Sequence, residues 1–244
     1  MKRNPKQEGT NLFDCIPQKG PCPNKCSQCF YNHNFYLPID RVHFPHWDDV
    51  GEDGIVRVNS GHDSNIERDQ VIGRTHVYPK RFFNTSIPEF DFPDPVVFTA
   101  NASEERNAWL PEHLRSKRSG VRLGDKLFDN LMFVRLRTSS MNVPLVANAA
   151  EKWGEAGVPV LLTFMRYYDE SEFAKQNRDE YVQRSHITNT YWCPSDHFMR
   201  AALKFVSAFN SKIEMCGTPR SSLCKDCLCC EKYYYQAKRR MQRG

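Results

Sequence analysis

Short runs of apolar and β-branched residues recur along the chain at 55–59, 81–87, 96–101, 131–138 and 158–166. Val158-Pro159-Val160-Leu161-Leu162 is apolar without alternation, as expected of a strand buried on both faces. Helical patterns lie between these runs. Ser64-Asn65-Ile66-Glu67 fits a capping box, which predicts a helix opening at Ser64. Asn142 precedes Val143-Pro144 and an Ala-rich stretch that closes at Gly157, as cap and stop rules require. Ser195 opens another helix, with Phe198, Ala202, Phe205 and Phe209 on one predicted apolar face.

With 10–15 as a first strand, the pattern amounts to about six strand–helix units, and such alternation specifies an α/β fold with a parallel sheet. An open barrel and a doubly wound sheet both satisfy it. Either architecture puts function at the carboxyl ends of the strands. Those ends are polar here: Asn59-Ser60-Gly61-His62-Asp63, Asn84-Thr85-Ser86, Asn101-Ala102-Ser103, Arg137-Thr138-Ser139-Ser140 and Thr163–Arg166.

Composition narrows the class. The chain has 244 residues, 26% of them charged, with a mean hydropathy of −0.65 and no apolar run of about 18 residues to span a bilayer. The start is basic and lacks a secretory apolar stretch, so a cytoplasmic, reducing location is expected. Ten cysteines then favour metal over disulfides, because eight of them fall in two tight groups. Net charge is +5, and much of it lies in the tail, where Lys232, Lys238, Arg239, Arg240 and Arg243 oppose Glu231. Such a tail is either a solvated end or a contact for nucleic acid. The phosphate loop of NTPases, the H-E-x-x-H zinc motif and the G-x-S-x-G nucleophile turn are all absent from the sequence.

The first group, Cys22-x3-Cys26-x2-Cys29, offers three thiolates on one short loop after the first strand. Three thiolates can bind three corners of a 4Fe–4S cube and leave one iron open. Zinc held by the triad and His33 is the alternative. The second group, Cys216-x7-Cys224-x2-Cys227-x2-Cys230, suits tetrahedral zinc or a fully ligated cube equally well. Cys229 lies beside Cys230 and must point elsewhere, outside that centre.

The triad and its place after the first strand resemble the radical S-adenosylmethionine superfamily. The resemblance implies a partial (β/α)6 barrel over residues 1–210, with 1–9 flexible, and a cysteine-rich metal-binding extension with a basic tail over 211–244. It implies a 4Fe–4S cluster on Cys22, Cys26 and Cys29 whose open iron chelates S-adenosylmethionine. Reductive cleavage by a one-electron donor such as flavodoxin or ferredoxin would yield a 5′-deoxyadenosyl radical that abstracts hydrogen from a substrate. An oxygen-sensitive enzyme follows, with an auxiliary 4Fe–4S cluster or zinc on Cys216, Cys224, Cys227 and Cys230. By position, Asn59, Ser60 and Gly61 correspond to the turn that holds the methionine amino group, and Asn101 and Ser103 to polar residues near the ribose. In the family an aromatic often precedes the third cysteine; here Gln28 stands there and Phe30 follows, the candidate adenine contact. The competing expectation is a non-enzymatic zinc-binding module with a nucleic-acid-contacting tail.

Three further groups of residues carry open alternatives. His62 and Asp63 are either a proton relay or an Asp-capped turn. Arg135 and Arg137 share one strand face by period two, and with Arg166 they form either an internal anion site or a solvated face. Tyr233-Tyr234-Tyr235 either stacks bases or packs over the nearby cysteines, and packing is the expected role.

Overall fold

A computed structural model describes residues 4–26, 29, 42–103, 110–117, 128–168, 171–186, 189–221 and 223–243. Six parallel strands follow one another in space as in sequence: β1 (Leu12–Cys15), β2 (Ile55–Val58), β3 (Arg81–Thr85), β4 (Val96–Ala100), β5 (Leu131–Thr138) and β6 (Val160–Phe164). The short β10 (Glu214–Met215) adds a seventh beside β6, also parallel. A doubly wound sheet reverses its strand order at a switch point. This one never reverses, and it curls into a half-barrel with a convex and a concave face.

Strand residues alternate between the two faces. Val56, Val58, Phe83, Val96, Phe98, Val134, Leu136, Val160 and Leu162 pack outward in the larger core. Helices α2 (Arg68–Thr75), α4 (Val143–Glu155) and α6 (Asp196–Ser207) supply Val71, Val146, Ala150, Trp153, Met199 and Val206 to that layer. Between β3 and β4 the chain returns without a helix, and Phe90 and Phe92 cover the sheet instead. Phe92 stacks on Phe83 at 4.7 Å, and Phe90 meets Phe98 edge-on at 5.2 Å. Helices α4 and α6 are joined through the turn that follows α6. Asn210 donates to the Ala150 carbonyl at 2.9 Å, and a Cβ on Gly154 would lie 2.6 Å from its amide. Short helices α1 (Trp47–Val50) and α3 (Pro111–Lys117) complete this layer's connections.

After β6 the chain forms a small antiparallel sheet, ordered β7 (Tyr167–Tyr168), β9 (Asn189–Pro194), β8 (Tyr181–His186), with α5 (Glu172–Gln176) beside it. Tyr167, Phe173, Tyr181 and Trp192 make its aromatic core. The backbone N–H of Ser140, just after β5, donates to the Tyr181 hydroxyl at 3.3 Å, which ties this sheet to the barrel's carboxyl edge. The final helix α7 (Cys229–Arg243) fills the concave face, so 211–244 is woven into the barrel through β10 and α7. No helix among the described residues is long and apolar enough to cross a membrane.

Several local expectations are corrected. The capping box does not form: α2 opens at Arg68, and Glu67 precedes it in the left-handed region at φ 50°. Ser64 instead accepts from Asn59 Nδ2 at 3.2 Å. Asn142 does stand before α4, but its side chain accepts from Ser139 N and donates to Ser103 Oγ and the Arg137 carbonyl rather than capping the helix. Ser195 caps α6 as expected, accepting from Phe198 N at 3.2 Å. The buried face of α6 is Phe198, Met199, Ala202 and Val206, while Phe205 and Phe209 are exposed and pack on each other.

Candidate active site

The triad loop lies where β1 ends, at the carboxyl edge of the sheet. Cys26 is buried and Cys29 N–H donates to its carbonyl at 3.1 Å. The Cys26 thiol lies 3.4 Å from Ser86 Oγ at the end of β3, and Asn24 Nδ2 donates to the same hydroxyl at 2.6 Å. Ser86 is in turn held by Asp63 from the end of β2. Burial pushes the Cys22 thiol up to about 11, against a backbone hydrogen bond at Asn24, and the charges of Asp63, Cys26 and Cys29 add to the rise. Phe30, like Gln28, Tyr31 and His33, falls outside the described residues.

Other predicted contacts carry structural bonds. Asn59, at φ 61° and buried, donates to Gln18 Oε1 at 2.7 Å, while its own Oδ1 meets no donor among the described residues. Ser60 and His62 bridge around Gly61. Asn101 Oδ1 accepts from Ser103 N at 3.1 Å, and Ser103 Oγ accepts from Asn142 at 3.0 Å. Asp63 behaves as a turn anchor, accepting from Asn65 N, Thr85 Oγ1, Ser86 N and Ser86 Oγ. His62 Nδ1 accepts from Asp63 N–H at 2.9 Å. Burial lowers its pKa against the pull of Asp63, so the imidazole is neutral at pH 7.

Below this edge the concave face is built in two layers. Leu12, Ile55, Phe82, Val97, Phe133 and Leu161, one from each of β1 to β6, form an apolar floor against Cys229, Cys230, Tyr233, Tyr234 and Ala237 of α7. Two residues further along each of these six strands the side chain is polar: Asp14, Arg57, Asn84, Thr99, Arg135 and Thr163. Period-two alternation puts each of these on the same face as its floor residue. Arg57 and Asp14 are register partners and form a two-pronged ion pair at 2.7 and 3.2 Å, with Asn4 and Gln7 donating to the same carboxylate.

The second cysteine group faces this polar layer. Burial pushes Cys230 up to about 12, while Arg135 and Arg57 pull it down and Cys216 and Cys224 push it further up. Burial also raises Cys224, against Arg57, with Cys216 and Cys227 adding to the rise. Cys224, Cys227 and Cys230 pack in one cluster on the concave face, within reach of the charges of Arg57 and Arg135. Cys229 donates to Glu214 Oε2 and to the Cys227 carbonyl, each at 3.5 Å. Its thiol is held up and that of Cys227 down, chiefly by the hydrogen bond between them. Burial lowers Lys6, the charge of Arg166 lowers it further, and those of Cys216 and Cys224 oppose this.

The tail is not a free cationic arm. Lys238 pairs with Asp94 at 3.2 Å, and Arg240 donates to the carbonyls of Asp129 and Leu131. Tyr233 donates to Glu214 at 2.6 Å and Tyr234 is buried, so packing, not base stacking, occupies these two rings. Sequence reasoning named Ser86 only as part of a polar strand end and missed Lys6 and the Asp14–Arg57 pair. A lone charge inside each of two apolar strands was the signal for the pair.

No protein-family model matches this chain, and comparison with curated proteins and with solved structures yields no match. As the side chains stand, no three His, Cys, Asp or Glu residues among those described form a group that could hold a metal ion. The donor sets nevertheless fit thiolate-bound metal in kind. The triad places three soft ligands on one loop, and the nearby carboxylate of Asp63 is spent on Thr85, Ser86 and Asn65.

Proposed function

We propose that the protein is a radical S-adenosylmethionine enzyme. The observation that carries this reading is the location of Cys22, Cys26 and Cys29 on the loop after β1 of a sequentially ordered parallel half-barrel. Cys22, Cys26 and Cys29 would hold a 4Fe–4S cluster, which when bound would supply the one-electron chemistry for reductive cleavage of S-adenosylmethionine. Asp63 and Ser86 position the loop by tying the ends of β2 and β3 beneath it. Asn59, Ser60, Gly61, Asn101 and Ser103 line the adjoining strand ends, where the cofactor's amino group and ribose would lie. The α7 plug closes the floor and keeps water out from below.

Cys216, Cys224, Cys227 and Cys230 form a second metal centre in this proposal, an iron–sulfur cluster or zinc. Arg57, Lys6 and Arg166 offset the negative charge that four thiolates bring. The electron donor is a flavodoxin- or ferredoxin-like protein, and the site of action is the cytoplasm.

Anaerobic purification tests the proposal. Brown protein absorbing near ~400 nm, with about eight irons per chain for two cubes or about four if the second centre is zinc, is the expected result. It should form 5′-deoxyadenosine from S-adenosylmethionine and reductant, and Ala at Cys22, Cys26 or Cys29 should abolish this while leaving the C-terminal metal. Colourless protein holding zinc alone would establish the non-enzymatic alternative.

A further inference from the structure

The polar layer contains two arginines but a single carboxylate. Asp14 and Arg57 satisfy each other, and Asn4 and Gln7 complete the carboxylate. Arg135 meets no carboxylate among the described residues, and its guanidinium lies over the Phe133 ring at 5.6 Å. Its Nε is shut off from solvent and meets no acceptor among the described residues, and Thr163 Oγ1 is in the same condition. Thr99 is the register partner of Arg135 on β4, and Thr163 lies on β6 across from Arg137, one concave position beyond Arg135. Thr99 and Thr163 thus stand on the two strands that neighbour β5, on the same face as Arg135. Stranding a buried donor is costly, and a bound acceptor removes that cost.

We propose that Arg135, with Thr99 and Thr163 beside it, binds an oxyanion, carboxylate or phosphate, through which the substrate is held inside the half-barrel. The planar guanidinium presents a fork of N–H donors that matches two oxygens of such a group. The apolar floor of Phe133, Val97 and Leu161 lies directly below, and low polarity there strengthens the pairing. The assignment of the oxyanion to a substrate rests on the proposed reaction; the anion site itself does not.

The test uses the full chain, purified anaerobically, with thermal unfolding followed in inorganic phosphate and separately in acetate. Chloride at matched ionic strength is the control. A ligand that binds only the folded state raises Tm with its concentration. We expect a saturable rise with at least one anion, the stronger response telling phosphate from carboxylate. Arg135→Gln should abolish the rise and Thr163→Val should weaken it several-fold, both at unchanged metal content. No saturable rise in the wild type, or a full response in Arg135→Gln, overturns the proposal. So does loss of the C-terminal metal in Arg135→Gln with a full response in Thr163→Val, which would make Arg135 a counter-charge to the thiolates. Suppression of the response by S-adenosylmethionine overturns it too, by giving the site to the cofactor. Iron content and 5′-deoxyadenosine formation on the same preparations judge the reaction separately. An intact anion response in inactive, colourless protein keeps the site and rejects the reaction.

Discussion

Asp63 and Ser86 clasp the ends of β2 and β3: Asp63 Oδ2 accepts from Ser86 N at 2.7 Å and from Ser86 Oγ at 2.8 Å. The same Ser86 hydroxyl meets Asn24 and Cys26 of the triad loop. Asp63→Ala removes the acceptor for four donors in a buried place and should cost about 2–4 kcal/mol. Urea unfolding reads that loss. If the clasp positions the loop, Ser86→Ala should lower iron bound at the triad while the C-terminal metal stays. Unchanged iron occupancy in Ser86→Ala would assign the clasp to stability alone.

Asp14 and Arg57 predict a pH dependence. Burial works against the Asp14 charge, yet Arg57 and the hydrogen bonds from Arg57, Asn4 and Gln7 hold its carboxyl below the ordinary 3.8. A folded value below the unfolded one adds stability that is complete above the unfolded value and fades as pH falls through the folded value. The difference in stability between wild type and Asp14→Asn should therefore be steady above about pH 5 and shrink below about pH 4. At neutral pH the variant should lose about 3–5 kcal/mol, because Arg57 is left buried and unpaired. A difference independent of pH would show that the pair does not depend on the charge of Asp14.

Lys238 and Arg240 anchor α7 against the amino ends of β4 and β5. Asp94 keeps Arg81 at 2.9 Å when Lys238 is removed, so Lys238→Ala should cost only about 1 kcal/mol. Arg240→Ala frees two carbonyls and should cost about 1–2 kcal/mol. Limited proteolysis of the double variant should release α7 sooner than in wild type. Equal rates would mean that the apolar floor alone holds the helix.

Cys229 and Cys230 are neighbours with opposite expected roles. Cys230 shares its surroundings with Cys216, Cys224 and two arginines, whereas Cys229 is bonded to Glu214 and Cys227. Cys230→Ala should lose the C-terminal metal, and Cys229→Ala should retain it, as measured by metal analysis of the purified chain. The reverse result would exchange their assignments.

What the sequence determined by itself was local. Runs rich in apolar and β-branched residues marked β2 to β6, as strands covered on both faces require, and Leu131–Thr138 agrees to the residue. The spacing of Cys22, Cys26 and Cys29 places three thiols on one loop in any fold. Tertiary structure decided what those patterns meet. Ser64 and Glu67 satisfy a capping rule, yet Asp63 bonds Ser86 from the next strand and the chain passes Glu67 in the left-handed region before α2 begins. Phe205 and Phe209 have helical spacing with Phe198, but Val206 is the residue turned into the core shared with α4, and the two rings are left outside. The alternation of Arg135 and Arg137 showed that they share a face, not which face is concave. That depended on the curl of a sheet whose strands never reverse order, and on α7 arriving from about 100 residues away to make the apolar floor. Period and propensity act within a few residues, whereas the partner of a buried charge is chosen by the whole sheet.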